Sequence, residues 1–199
     1  MNESKIYKVL VFILRPIFKF LYRLEVKGAE NFPKSGKAII CPNHTSNADP
    51  ILLAITTKRQ VFFMAKKELF RYKILSKFFK SIGAFPVDRG KGDTSALDNA
   101  KSILHNENFL GIFIEGTRSK TGEFLRPKTG AAMIACETSA PIIPVCIRSA
   151  DGGKIKIFKK NIVSIGKPLS TAELSLEQAS GKAFRDASRM VMDKMKTLL

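Results

Sequence analysis

Apolar residues fall into two rhythms along this chain: short unbroken runs, and longer stretches in which they recur every three or four positions. The unbroken runs have the length of strands and the recurrent stretches the period of helices. Lys37–Cys41 reads as a buried strand, preceded by the turn Pro33-Lys34-Ser35-Gly36. Pro50 suits the first turn of a helix through Ile51–Ile55, capped by Asn47 or Asp49. Val61–Ala65 is a second strand. Lys67–Lys80 follows as a helix, with Leu69, Phe70, Ile74, Leu75, Phe78 and Phe79 in a wide apolar stripe. Gly83–Val87 is a short strand or extended loop, Thr94–Asn106 a helix, Phe109–Ile114 a strongly buried strand and Thr129–Cys136 a helix of small residues. Ile142–Ile147 is a further strand in which Pro144 argues for an edge or irregular position. Beyond Asp151-Gly152-Gly153, the segments Lys154–Phe158 and Asn161–Gly166 alternate like a hairpin or sheet edge, and Glu177–Leu198 closes the chain as a helix. Strands alternating with helices predict an α/β fold, a mostly parallel or mixed sheet flanked by helices.

The N-terminus departs from that pattern. Tyr7–Leu21 is apolar but broken by Lys8, Arg15, Pro16 and Lys19. Its longest uninterrupted run, Val9–Leu14, is far short of the ~20 residues that cross a bilayer. No small-residue cleavage site follows, so a signal peptide fits poorly. An amphipathic helix at a membrane interface fits better, with Phe12, Phe18, Phe20 and Leu21 entering the acyl boundary and the basic residues meeting anionic head groups. The bland alternative is a helix packed on its own domain. The expected division is a membrane-associating segment over residues 1–24 and a catalytic domain over residues 25–199.

Composition narrows the partners. A chain of 199 residues with 45% apolar content holds one domain with a sizeable core. A formal charge of +17 calls for an anionic partner: nucleic acid, an acidic membrane surface or a phosphorylated substrate. Residues 58–80 carry eight of the cations, interleaved with Phe, against the single acid Glu68. Three Tyr and no Trp leave little for base stacking, and the Phe residues lie in runs that read as buried, so nucleic acid is not expected. Three cysteines without close spacing suit a reducing compartment, and two histidines make a structural zinc site, or any metal site, a poor fit.

The chemistry gathers after the strands, where active sites of such folds collect. His44 and Asp49 lie five residues apart just after the first strand. An imidazole there can take a proton from a substrate hydroxyl, and a carboxylate on its other nitrogen would fix the tautomer and stabilise the imidazolium. Asp88-Arg89-Gly90 follows the third strand; Arg89 offers a planar fork to a phosphate, or pairs with Asp88. Glu115-Gly116-Thr117-Arg118-Ser119 follows the Phe109–Ile114 strand as a tight turn with exposed donors suited to an oxyanion. Glu115, costly if buried and unpaired, would hold Arg118, a backbone amide or a substrate hydroxyl.

In these residues the chain resembles the glycerolipid acyltransferases, most nearly those that acylate 1-acylglycerol 3-phosphate. Their Asn-His-x-x-x-x-Asp motif is matched by Asn43, His44 and Asp49. Their second motif is matched by Gly83, Phe85, Val87, Asp88 and Arg89. The Phe-Pro-Glu-Gly-Thr-Arg-Ser motif is matched by Phe113, Glu115, Gly116, Thr117, Arg118 and Ser119, with Ile114 in place of the proline. The fourth, a proline in an apolar strand, is matched by Pro144, and Lys128 resembles the lysine that follows the third motif. Pro86 departs from the aromatic or aliphatic residue common in the second. The resemblance covers about residues 25–170.

It implies transfer of a fatty acyl group from acyl-coenzyme A or acyl carrier protein to the 2-hydroxyl of lysophosphatidic acid, without a cofactor. Alternative acceptors are glycerol 3-phosphate, dihydroxyacetone phosphate or another lyso-lipid. His44 would be the base, Asp49 its orienting group, and Arg89, Arg118 and Lys128 the phosphate ligands. Asn43, Gly83, Glu115, Gly116, Thr117 and Pro144 would shape the site. The expected location is peripheral or monotopic, on the cytoplasmic face of the cell membrane.

Overall fold

The computed structural model describes residues 4–87 and 94–198. A helix, α1 (Lys5–Leu21), leads into strand β1 (Leu24–Lys27). Strand β2 (Ala38–Pro42), helix α2 (Asp49–Thr56) and strand β3 (Val61–Lys66) follow, then a 3-10 turn over Lys67–Phe70, helix α3 (Lys73–Ser81) and strand β4 (Ala84–Val87). Helix α4 (Thr94–His105), strand β5 (Phe109–Gly111), helix α5 (Gly130–Thr138), strands β6 (Ile142–Ser149) and β7 (Asn161–Ile165) and helix α6 (Gly181–Lys196) complete the chain. The seven strands form one sheet in the order β1-β7-β6-β2-β5-β3-β4. All neighbours are parallel except β6 and β7, so the sheet is mixed.

The period of two along each strand sorts the core. Ile39 and Cys41 of β2 face one layer, with Leu104 of α4, Ile134 of α5 and Val191 of α6. Ala38 and Ile40 face the other, with Leu52 and Leu53 of α2 and the inner residues Val11, Leu14 and Phe18 of α1. Both faces are covered, which is why these strands read as continuous apolar runs rather than alternations. Helix α1 therefore packs on the domain. Arg15 donates to the carbonyls of Ile55 and Thr57 at 3.0 Å each, satisfying the C-terminal end of α2. It does not project toward head groups, and Phe18 and Leu21 also turn inward. The outer side still shows Ile6, Val9, Phe12, Ile13, Ile17 and Phe20 to solvent. Among the described residues no helix is long and apolar enough to cross a membrane.

Several elements differ from the sequence expectation for local reasons. The helix expected over Lys67–Lys80 is broken at Arg71 and Tyr72 into a 3-10 turn and α3. Strand β5 stops pairing with β3 at Gly111, yet the amides of Ile112 and Ile114 still donate to the carbonyls of Ile40 and Pro42. Pro144 lies in a strand paired on both sides. Its carbonyl accepts from Gly166 just past the end of β7, so the missing N–H falls where that ladder finishes. Lys154–Phe158 forms no strand; β7 takes β1 as its second neighbour instead. Asn161 explains this, because its buried side chain donates to the carbonyls of Tyr22, Lys156 and Lys159 and accepts from the Lys156 amide, tying the segment into a loop.

Candidate active site

Strands β2, β5, β3, β4 and β6 run in one direction, so their carboxyl ends share one edge of the sheet. The chain leaving β2 carries Asn43 and His44 onto that edge. Asn43 is buried and continues the ladder with its side chain, accepting from the Ile147 amide at 2.7 Å and donating to the Ile147 carbonyl at 2.9 Å. That pair of bonds fixes where the next residue stands. His44 Nδ1 lies 2.9 Å from Oδ2 of Asp49, the first residue of α2. The same oxygen accepts from the amides of Thr45 at 2.7 Å and Ser46 at 2.8 Å. Asp49 is therefore not the helix cap expected from sequence; Ala48 holds that position and the carboxylate turns back to the histidine. Asp49 is fully buried and His44 nearly so. With Nδ1 engaged, the proton-accepting nitrogen is Nε2.

A ladder of rings holds the imidazole from the side. Phe113 lies on His44 with centroids 3.9 Å apart and planes 22° from parallel, and Phe63 stacks on Phe113 at 6.2 Å. Gly111 admits this ladder, since a Cβ there would stand 2.4 Å from the Phe63 ring. The motif supplied Phe113, but the sequence carries no sign that it would meet His44.

The turn after β5 closes the site. Ser119 donates its amide to the His44 carbonyl at 2.8 Å, joining the two loops. Gly116 has φ of 71°, the left-handed region that glycine enters freely, and a Cβ would stand 3.2 Å from Cγ of Lys128. Lys128 is itself tied by its amide to the Ile114 carbonyl. Arg118 donates to Asn47 Oδ1 at 2.7 Å and is exposed, so the dyad loop presents it to solvent. Thr117 is exposed beside it. Glu115 does not hold Arg118. It is buried, neither carboxyl oxygen makes a well-formed hydrogen bond, and burial pushes its pKa up to about 7. The amides of Leu125 and His44 pull the other way, and Asp49 adds to the rise.

Thus His44, Asp49, Asn43, Glu115, Gly116, Thr117, Arg118 and Lys128 converge on the carboxyl edge, with Pro144 in the sheet beside Cys41. Gly83 sits at the opposite end of β4, against Gln60 and Phe62, away from the dyad. Arg89 lies outside the described residues. Asn47, which sets Arg118, was legible only as a helix-cap candidate.

A sequence model of the acyltransferase family matches residues 23–148. The chain belongs to the acyltransferase family. Over 172 residues it is 34% identical to the 1-acyl-sn-glycerol-3-phosphate acyltransferase of Bacillus subtilis, spanning 85% of each chain. It is 31% identical to the Saccharomyces cerevisiae acyltransferase of the same name, over 88% of this chain but only 61% of that one. The fold is that of the crystal structure of the 1-acyl-sn-glycerophosphate acyltransferase of Thermotoga maritima, with a TM-score of 0.73 at 24% identity over 96% of this chain and 79% of that one.

Proposed function

We propose that this acyltransferase is a 1-acylglycerol-3-phosphate O-acyltransferase, moving a fatty acyl group from a thioester of coenzyme A or acyl carrier protein to the 2-hydroxyl of lysophosphatidic acid. The observation that carries the reading is the buried His44–Asp49 pair at 2.9 Å on the carboxyl edge, in a chain that shares 34% identity with an enzyme of that name. Nε2 of His44 takes the hydroxyl proton as the oxygen attacks the thioester carbonyl. The imidazolium so formed is held by Oδ2 of Asp49. The tetrahedral intermediate collapses by breaking the C–S bond, and the proton on His44 passes to the departing thiolate.

Arg118, bonded to Asn47 in the dyad loop, and Lys128, packed against Gly116, are proposed as phosphate ligands, and Arg89 as a third on its motif alone. Arg118 is aimed by Asn47 and needs only to keep or exchange that bond as the phosphate enters. Glu115 lies buried directly after the β5 segment, at the start of the turn that bonds back to His44. In its protonated form, which burial favours, it would donate a hydrogen bond to a substrate oxygen.

The acceptor is an amphiphile of the bilayer, so we place the enzyme at the membrane surface, on the cytoplasmic face. The outer side of α1 supports this, as does the segment from Lys66 to Lys80, where Leu69, Tyr72, Ile74, Leu75 and Phe78 are exposed among lysines. That segment leaves the sheet at the carboxyl end of β3, the same edge as His44. The test is an assay of purified protein in detergent, offering lysophosphatidic acid, glycerol 3-phosphate, dihydroxyacetone phosphate and a lyso-lipid lacking a free phosphate. Each is paired with both donor types. Transfer to lysophosphatidic acid above the others is expected; preference for another acceptor would replace this reading.

A further inference from the structure

On the other flank of the dyad, the loop between β6 and β7 holds two large apolar side chains in water. Ile157 is 54% exposed and Phe158 63%. Nothing in the reaction described above uses them. Phe158 also has φ of 60°, a left-handed conformation that a bulky residue rarely adopts. Glycine or asparagine would occupy that position at less cost, and a polar side chain would suit its exposure.

The loop is nonetheless held firmly. The Phe158 amide donates to the Leu21 carbonyl at 2.6 Å, and the buried Asn161 side chain grips the Lys156 and Lys159 backbone from below. Strain, rigidity and apolar exposure at one point indicate a surface built to meet something.

Three observations identify the occupant. The bond to Leu21 ties the loop to the C-terminal end of α1, beside Phe20 in sequence, itself 76% exposed on the outer side of that helix. The surroundings are cationic: Arg23, Lys156, Lys159 and Lys160 are all exposed. Two acids lie nearby, Asp151 paired with Lys156 at 3.1 Å and Glu25 with Lys160 at 2.6 Å, so the charges of Arg23 and Lys159 are left in excess. Lastly, β6 is parallel to β2, so this loop leaves the sheet at the His44 edge, on the side away from β3 and β4.

We propose that Ile157 and Phe158, with Phe20, form an apolar wedge that inserts into an anionic lipid bilayer. Together with the Lys66–Lys80 segment on the far flank, the wedge straddles the dyad and turns the carboxyl edge of the sheet to the membrane. The proposal rests on the membrane placement given under Proposed function, and adds through Ile157 and Phe158 a contact that neither α1 nor the 66–80 segment supplies.

The chain has no Trp, so Phe158→Trp places a single reporter in the wedge. With vesicles of phosphatidylcholine and phosphatidylglycerol, its emission is expected to shift to the blue and to be quenched by brominated lipid. Ile157→Ser combined with Phe158→Ser is expected to weaken vesicle binding at least about ten-fold, the loss of two large apolar side chains from a water-free site. Its thermal midpoint should not fall below that of the parent, since neither side chain is in the core. Unshifted emission from vesicle-bound Phe158→Trp protein would overturn the proposal. So would a blue shift that follows protein concentration without vesicles, which would make the occupant a second copy of the chain. Neither readout depends on turnover, so the wedge and the acyl transfer stand or fall separately.

Discussion

Replacing Asp49 by Asn tests how much the carboxylate does for His44. Oδ2 of Asp49 accepts from His44 Nδ1, Thr45 N and Ser46 N within 2.9 Å, in a position closed to water. Asparagine keeps the shape and an acceptor but loses the charge. When His44 becomes an imidazolium, two unit charges centred about 4 Å apart attract by about 4 kcal/mol at an effective dielectric of about 20. The neutral hydrogen bond that remains recovers about 1 kcal/mol. The net loss of about 3 kcal/mol corresponds to a fall in kcat of about 100- to 1000-fold. The KM for acceptor should change little, because the lost interaction strengthens only as the proton moves. Steady-state turnover, with circular dichroism and urea unfolding to confirm the fold, measures this. Turnover within about three-fold of the parent in a folded Asp49→Asn protein would show that the carboxylate charge does not hold the imidazolium.

Glu115 makes stability depend on pH. Its folded pKa of about 7 is raised from 4.5, so the folded state holds the proton more tightly, and stability is full below about 4.5 and lost as pH rises through about 7. The loss is about 3 kcal/mol at most. Glu115→Gln should flatten that slope in urea unfolding measured from pH 5 to pH 8; an unchanged slope would remove Glu115 as its source. Arg118→Ala should raise the acceptor KM about 10- to 100-fold, the value of a charge-assisted bond, and leave the donor KM nearly unchanged. A selective rise in the donor KM would reassign Arg118 to the thioester carrier.

The unbroken apolar runs announced the strands because both faces of this sheet are covered, and its mostly parallel direction was legible because helical connections are too long for hairpins. Strand β1 was missed because it lacks such a run: Leu24–Lys27 is only four residues long, carries two charges and gains its place from Asn161 bonding Tyr22 rather than from any pattern of its own. The Lys154–Phe158 alternation misled because alternation also describes a loop whose Ile155 turns in while Lys156 and Phe158 turn out. At the site, the His44–Asp49 pair was legible because both partners lie in one short loop. The Phe63–Phe113–His44 ladder and the Asn47–Arg118 bond were not, because each joins segments far apart in sequence, with no local periodicity to record it. Gly83 shows the converse: a motif residue whose neighbour Gln60 lies at the distant end of the sheet.

Acyl transfer by this site depends on His44 removing the acceptor's proton. Purified parent and His44→Ala proteins, matched for circular dichroism and urea stability, should be compared in a single-turnover assay with radiolabelled acyl thioester and lysophosphatidic acid. The parent is expected to form labelled phosphatidic acid, and His44→Ala to form none above the uncatalysed background while still binding the acceptor. Product formation by well-folded His44→Ala at a rate near the parent's would show that His44 is not the base.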